Sequence, residues 1–272
     1  MSKSYNTKIY DYVDGTHIEL FGRSVSKKTQ DNKINHPGTD LYQDYENEKA
    51  FDAAEQFKKN EFRTDKQKEH CLNVSQNRTK RQIYHITRSN HWDWFITITI
   101  DRKIFDASDY DTTVKKLTNF LNNIRKRKAN DIKYLIVPEL HSDKKNYHFH
   151  GLLADTGRCH FIESGHVDDD GEIIYNWTDW HYGFTTATKV KDNGRVSSYI
   201  TKYITKDTAH ELKNKKRYYC SKNINRVDPY LANGPIEEFI INFGSDIDFM
   251  KTVTIPGAKQ KVTYCEINKK EK

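Results

Sequence analysis

His148 and His150, one residue apart, are the first place in this sequence where side-chain types and spacing could do chemistry. In a strand, side chains alternate, so both imidazoles share one face while Tyr147, Phe149 and Gly151 take the other. Two imidazoles about 7 Å apart at the backbone can hold one divalent ion between them. Taken alone, such a pair is more commonly an ordinary polar strand face. Glu139 adds weight. It lies on the preceding strand-like run, and antiparallel pairing through a short connection sets it opposite His148 or His150, on the same face. Two imidazoles and a carboxylate make a three-ligand site with open positions, suited to Mg²⁺ or Mn²⁺ receiving phosphate oxygens. His141 shares the parity of Glu139 and is a rival or auxiliary ligand. The plain alternative for Glu139 is a charge at a strand edge.

Tyr199-Ile-Thr-Lys-Tyr-Ile-Thr-Lys206 is the second such group. On a helix, Tyr199 and Tyr203 sit one turn apart on a shared face, with Lys202 and Lys206 beside them. Val196, Ile200 and Ile204 form a separate stripe that can bury against a sheet, leaving the tyrosines at the border between core and solvent. A phenol with a pKa near 10 is a poor nucleophile unless cations or a metal stabilise the phenolate, and each tyrosine has a lysine three positions on. Alone, the segment reads as an amphipathic surface helix. Together the two groups supply a metal that polarises a phosphate and a nucleophile that can be esterified, the two components of phosphodiester transfer to tyrosine.

The elements that must position these groups lie between Arg81 and about Leu212. Trp94 to Ile100 is β-branched and aromatic, a strand buried on at least one face. Asp106 to Lys128 reads as a helix through Val114, Leu117, Leu121 and Ile124, with Arg125, Lys126, Arg127 and Lys128 in its last turn. Lys133 to His141 and Asn146 to Ala154 form a hairpin, and a second spans 160–176 around Asp168-Asp169-Asp170-Gly171. Gly183 to Val190 is another strand and Arg195 to about Leu212 a helix. Strand, helix, hairpin, strand, helix is an α+β pattern on an antiparallel central sheet flanked by helices.

Upstream, Asp14-Gly15 between two alternating runs marks a hairpin, Asp44 to about Asn60 a short amphipathic helix, and 63–80 a basic, polar linker. The expected organisation is an N-terminal extension over 1–79, an endonuclease-like core over 80–210 and a basic C-terminal region over 211–272. Of the 272 residues 31% are charged and 35% hydrophobic, which fits a core domain with solvated extensions. Lys+Arg 45 against Asp+Glu 38 gives +7, a balance compatible with a nucleic-acid partner without requiring one. Lys126, Arg127, Lys128, Lys216, Arg217 and Lys222 are candidate phosphate contacts, a solvated face being the alternative. Four scattered cysteines with no C-x-x-C pair read as reduced thiols rather than disulfides or a zinc knuckle. With no signal-like start and no apolar run near the roughly 20 residues of a membrane span, a soluble cytoplasmic protein is expected.

Over roughly residues 80–226 the sequence resembles the HUH-endonuclease superfamily, in particular rolling-circle replication initiators of phages and plasmids. The first family motif looks like Phe95-Ile-Thr-Ile-Thr99, the second matches Tyr147-His-Phe-His-Gly-Leu-Leu153, and the third matches Tyr199 to Lys206 with a doubled Y-x-x-K. Arg217-Tyr-Tyr-Cys-Ser-Lys222 is similar to a segment of phage-type members. The tyrosines follow the histidines, whereas relaxases place them before. No G-x-x-x-x-G-K-[ST] loop occurs, so no fused helicase of that kind is expected.

The resemblance implies an HUH/RRM-like fold and a metal-dependent, site-specific single-strand DNA nickase and ligase. Glu139, His148 and His150 would hold Mg²⁺ or Mn²⁺. Tyr199 and Tyr203 would form a 5′-phosphotyrosine link in turn, with Lys202 and Lys206 stabilising charge. The implied partners are single-stranded DNA at a replication origin, a host helicase and a DNA polymerase, in a bacterial cytoplasm. A non-catalytic module that binds single strands by stacking, and a transposase of the same superfamily, are the alternative readings.

Overall fold

The computed structural model describes residues 4–26, 64–141, 143–204, 212, 215–235, 237–238, 246–255 and 260–269. The expected helix over Asp44 to Asn60 and the candidate residue Lys206 lie outside the described residues. Among those described, two antiparallel sheets sandwich a helical layer, and a further helix covers the outer face of the larger sheet.

The larger sheet has the order β6-β7-β8-β3-β5-β4-β9. Its strands are β3 (Trp94–Ile100), β4 (Lys133–Leu140), β5 (Tyr147–Ala154), β6 (Phe161–Val167), β7 (Ile173–Trp177), β8 (Gly183–Lys189) and the short β9 (Tyr219–Cys220). Strict alternation along β3 sends Trp94, Ile96, Ile98 and Ile100 to one face, where they pack with Phe149 and Leu153 against Leu117, Phe120, Leu121 and Ile124. Those last four belong to α2 (Tyr110–Arg127), whose N-cap Asp109 accepts from the Thr112 backbone N–H at 2.9 Å. That cap starts the helix four residues later than the apolar spacing alone suggests. Pro138 in β4 lies beyond the two-residue pairing with β9, where a missing N–H interrupts no ladder.

The opposite face of the sheet carries Leu135, Val137 and Leu152, packed on Ile83 and Ile86 of α1 (Asp65–Arg88) and on Ile200 and Ile204. Ile200 ends α3 (Asn193–Ile200), which passes into a single 3₁₀ turn, Thr201–Tyr203. The helix expected from Arg195 to Leu212 is therefore shorter. Its last buried anchor, Ile204, follows the turn in a non-helical conformation, and Gln76 of α1 donates to its carbonyl at 2.8 Å. The stretch read as a linker is also corrected: residues 65–80 are the N-terminal two thirds of α1. A capping box formed by Thr64 and Gln67 starts this helix, a signal that its polar composition obscures.

The second sheet, β10-β1-β2-β12-β11, joins chain segments from both ends. It comprises β1 (Ser4–Asp11), β2 (Gly15–Ser26), β10 (Tyr230–Ala232), β11 (Phe249–Ile255) and β12 (Gln260–Asn268). The expected hairpin at Asp14-Gly15 is present, with a four-residue connection between the paired Asp11 and Thr16. Its attachment to α1 is polar. Arg88, 3% exposed, donates through Nε to Asp14 at 2.8 Å and through Nη1 to Glu266 at 3.0 Å and Tyr84 at 2.8 Å. Arg81 donates to both carboxylate oxygens of Glu19 at 2.5 and 2.6 Å. Burial disfavours the Arg88 charge, but the Tyr84 ring, Asp14 and Glu266 together hold its pKa above the ordinary value.

Replacing Arg88 with Met should strand Asp14 and Glu266 against α1 and cost about 3–5 kcal/mol. Urea unfolding should show a lower midpoint at unchanged slope. A loss below about 1 kcal/mol would mean that the network does not hold the second sheet.

Candidate metal centre and tyrosine helix

The site grows from strand register. Glu139 of β4 pairs with His148 of β5, Val137 with His150, and His148 and His150 pair in turn with Thr99 and Thr97 of β3. Period-2 alternation then puts Glu139, His148 and His150 on the face that carries α1 and α3. Phe149 and Gly151 point into the α2 core. A Cβ at Gly151 would meet Ile136 Cγ1 at 2.8 Å and the Leu135 carbonyl at 3.0 Å, so a bare glycine lets β5 and β4 close up beside the histidines.

The three ligand atoms converge. His148 Nε2 and His150 Nε2 each lie 2.9 Å from Glu139 Oε2, and 3.2 Å from one another. Adjacent donors on an octahedral ion at about 2.1 Å are about 3 Å apart, so this edge length fits a facial set of two imidazoles and one carboxylate. Two ring nitrogens facing each other at 3.2 Å cannot both present lone pairs without a cation between them. His150 is buried, and its Nδ1 lies 3.1 Å from Thr97 Oγ1. For Nε2 to act as a ligand the proton must sit on Nδ1, where it donates to that hydroxyl and fixes the ring plane. Burial raises the Glu139 carboxyl, but hydrogen bonds from His148 and His150 outweigh it and hold the pKa at about 2. Burial pushes His150 downward. A carboxylate and a neutral imidazole are the forms a divalent ion requires. His141 packs its ring edge-on to His148, 5.3 Å between centroids, and lies 3.8 Å from Asp143, outside the converging set.

Both tyrosines reach this face. Tyr203 stacks on the His150 ring at 3.6 Å between centroids and 14° between planes. Tyr199 packs edge-on to Tyr203 at 5.6 Å and to Phe95 at 5.3 Å, and is 42% exposed. Burial, then a hydrogen bond and repulsion from Tyr199, then the Glu139 charge, raise the Tyr203 phenol well above its ordinary pKa. Lys202 places Nζ 5.1 Å from the centre of the Tyr199 ring. The N-cap Asp192 accepts from the Arg195 N–H at 2.9 Å and Asn193 donates to the Asn90 carbonyl at 2.7 Å, tying the start of α3 to the end of α1.

The proposed phosphate contacts do not gather here. Lys126 and Arg127 are exposed at the end of α2, the helix on the opposite face of the sheet, and Lys128 is paired with Asp179. The Lys216 carbonyl accepts from the Tyr110 hydroxyl, and Arg217 Nη1 donates to Ser75 Oγ of α1 at 3.0 Å. Lys222 is exposed just after β9, at the edge of the sheet. Sequence reasoning passes over Thr97, which holds the His150 ring, and Gln76, which fixes the end of the tyrosine segment. Thr97 has a readable signal, since it alternates in phase with the histidines across a neighbouring strand; Gln76 has none.

Residues 93–208 match the family model of the Replication-associated protein ORF2. The matched segment is less than half of the chain, and it carries β3, β4, β5, the triad and both tyrosines. The match supports the resemblance to rolling-circle replication initiators over this segment. Comparison with curated proteins and with solved structures gives no match.

If the triad binds one ion, Mn²⁺ at about 100 times its Kd should stabilise the wild type by about 2.7 kcal/mol. His150→Ala should lose that thermal shift entirely, and Glu139→Gln should retain a weaker one. An unchanged shift in a His148→Ala/His150→Ala double variant would remove the assignment.

Proposed function

We propose that this protein initiates rolling-circle DNA replication by nicking and rejoining single-stranded DNA through a phosphotyrosine link. The observation that carries the reading is the stacking of Tyr203 on His150, which sets a phenol against the converging donors of Glu139, His148 and His150. The family match over the same residues supports replication as the context. A divalent ion, Mg²⁺ or Mn²⁺, would supply Lewis-acid polarisation of the scissile phosphate.

The chain's own groups account for the remainder. Tyr203 oxygen would attack phosphorus, its proton leaving to solvent or to a nearby base, and the 3′-oxygen would depart with the electron pair of the broken P–O bond. The product is a 5′-phosphotyrosine and a free 3′-OH that a polymerase can extend. Rejoining runs the same exchange in reverse, with the 3′-oxygen attacking and the phenol leaving. Tyr199, more exposed and in contact with Tyr203, is placed to take a second strand once Tyr203 is esterified. Lys202 lies beside Tyr199 and would offset the charge of its phenolate. A host helicase, a polymerase and a bacterial cytoplasm belong to this reading; no helix among the described residues is long and apolar enough to cross a membrane.

The test is incubation with labelled single-stranded origin DNA and Mn²⁺, followed by denaturing electrophoresis and peptide mapping. An SDS-resistant adduct on Tyr203 is expected in a single round, with Tyr203→Phe lowering its yield far more than Tyr199→Phe. Both single variants should fail in multi-round replication, and the double variant should form no adduct. Cleavage without any adduct would remove the covalent mechanism, while binding without cleavage would favour a stacking module.

A further inference from the structure

The registers that build the triad continue across the sheet. Glu139 pairs with His148, His148 with Thr99, and Thr99 with Phe184 of β8. Directly opposite residues share a face, so Phe184 stands on the face of the triad. It lies two strands beyond His148, about 10 Å away at the backbone. The neighbouring row runs Val137, His150, Thr97, Thr186 in the same way.

Helical cover stops short of this region. Tyr199 and Tyr203 lie on Phe95, which pairs with Thr188 further along β8. Phe184 is 68% exposed and Thr186 is also exposed, and no aromatic ring among the described residues packs on Phe184. A Cβ at Gly183 would meet the Thr99 carbonyl oxygen at 2.3 Å, so β8 begins tight against β3 and the place of Phe184 is fixed by backbone contact. An exposed phenyl ring therefore projects at a set distance from a centre suited to phosphate, with a hydroxyl one row away. An unpaired nucleobase has the complementary chemistry: a flat apolar face for the ring, polar edges for Thr186, and a sugar-phosphate link that reaches back to the triad.

We propose that Phe184 is a stacking platform for a base adjoining the scissile phosphate, with Thr186 meeting the edge of that base and contributing to sequence choice. The inference rests on the nicking function for its substrate. Its test is independent of cleavage.

Binding of fluorescein-labelled random-sequence single-stranded DNA, without added metal, is measured by anisotropy for the wild type, Phe184→Ala, Phe184→Leu and Phe184→Trp. Ala and Leu should each weaken binding by about five- to a hundredfold, because Leu keeps the apolarity and loses the ring, and Trp should restore it. Photocrosslinking of wild-type protein to 5-iodouracil-substituted DNA should label the peptide that contains Phe184. Wild-type affinity in Phe184→Leu, or crosslinks that avoid this peptide, would overturn the proposal. So would a dimer by light scattering that Phe184→Ala dissolves, since the ring would then serve a second copy of the chain. A crosslink at Phe184 in a protein that forms no phosphotyrosine adduct keeps the platform and removes the nickase. An adduct with no contribution from Phe184 does the reverse.

Discussion

The pairing of β4, β5 and β3 in one antiparallel register is the constraint on which the site depends. With a side-chain period of two, a one-residue slip of β5 would turn both histidines into the α2 core and lift Phe149 out of it. The slip is opposed from the far side of the sheet. Phe149 is fully buried, and Gly151 is clasped against Ile136 and the Leu135 backbone, where no other residue type fits without displacement. Donor atoms are thus held at about 3 Å by apolar packing on the opposite face. The chemistry is set by strand geometry, and strand geometry is set by the core.

The tyrosines are placed by a different means. A short helix of eight residues gains little from its own hydrogen bonds, and α3 is held by what it touches. Ile200 and Ile204 are buried between the sheet and α1, Gln76 of α1 donates to the last carbonyl, and Asn90 holds the first turn. α1 in turn is fixed to the second sheet by Arg81 and Arg88 through Glu19, Asp14 and Glu266. A cleft of about 640 Å³ between these parts is lined by Arg78, Arg81 and Tyr264 and by Ser198 and Thr201, the near neighbours of Tyr199. Segments from both ends of the chain therefore bear on the placement of the catalytic candidates without contributing to them.

That arrangement explains which features are legible in the sequence. The triad is readable because ligand type and period-2 spacing report directly on a strand face, and β3 to β8 are readable because their alternation is strong. The first half of α1 passes for a linker because the face it turns to the second sheet is made of Arg81, Tyr84, His85 and Arg88, so the usual apolar stripe is replaced by an ion-pair stripe. The end of α3 is obscured because Ile204 keeps the helical spacing of a buried residue after the backbone has left the helix. The exposure of Phe184 cannot be read at all. It depends on β8 lying next to β3, a neighbour it reaches only after most of the intervening chain has been placed elsewhere.

The two phenols occupy unlike environments despite their repeated sequence context. Tyr203 is half-buried, lies on an imidazole and feels the Glu139 carboxylate, all of which favour its neutral form. Nothing cationic among the described contacts of Tyr203 offsets this, so any phenolate there must draw its stabilisation from positive charge at the triad itself. Tyr199 sits further out, with Lys202 over its ring and solvent on one side. Its access to charge does not depend on the triad. Two identical Y-x-x-K repeats are thereby made unequal by position alone: one phenol is tied to the occupancy of the metal centre, and the other is available to a strand arriving from outside.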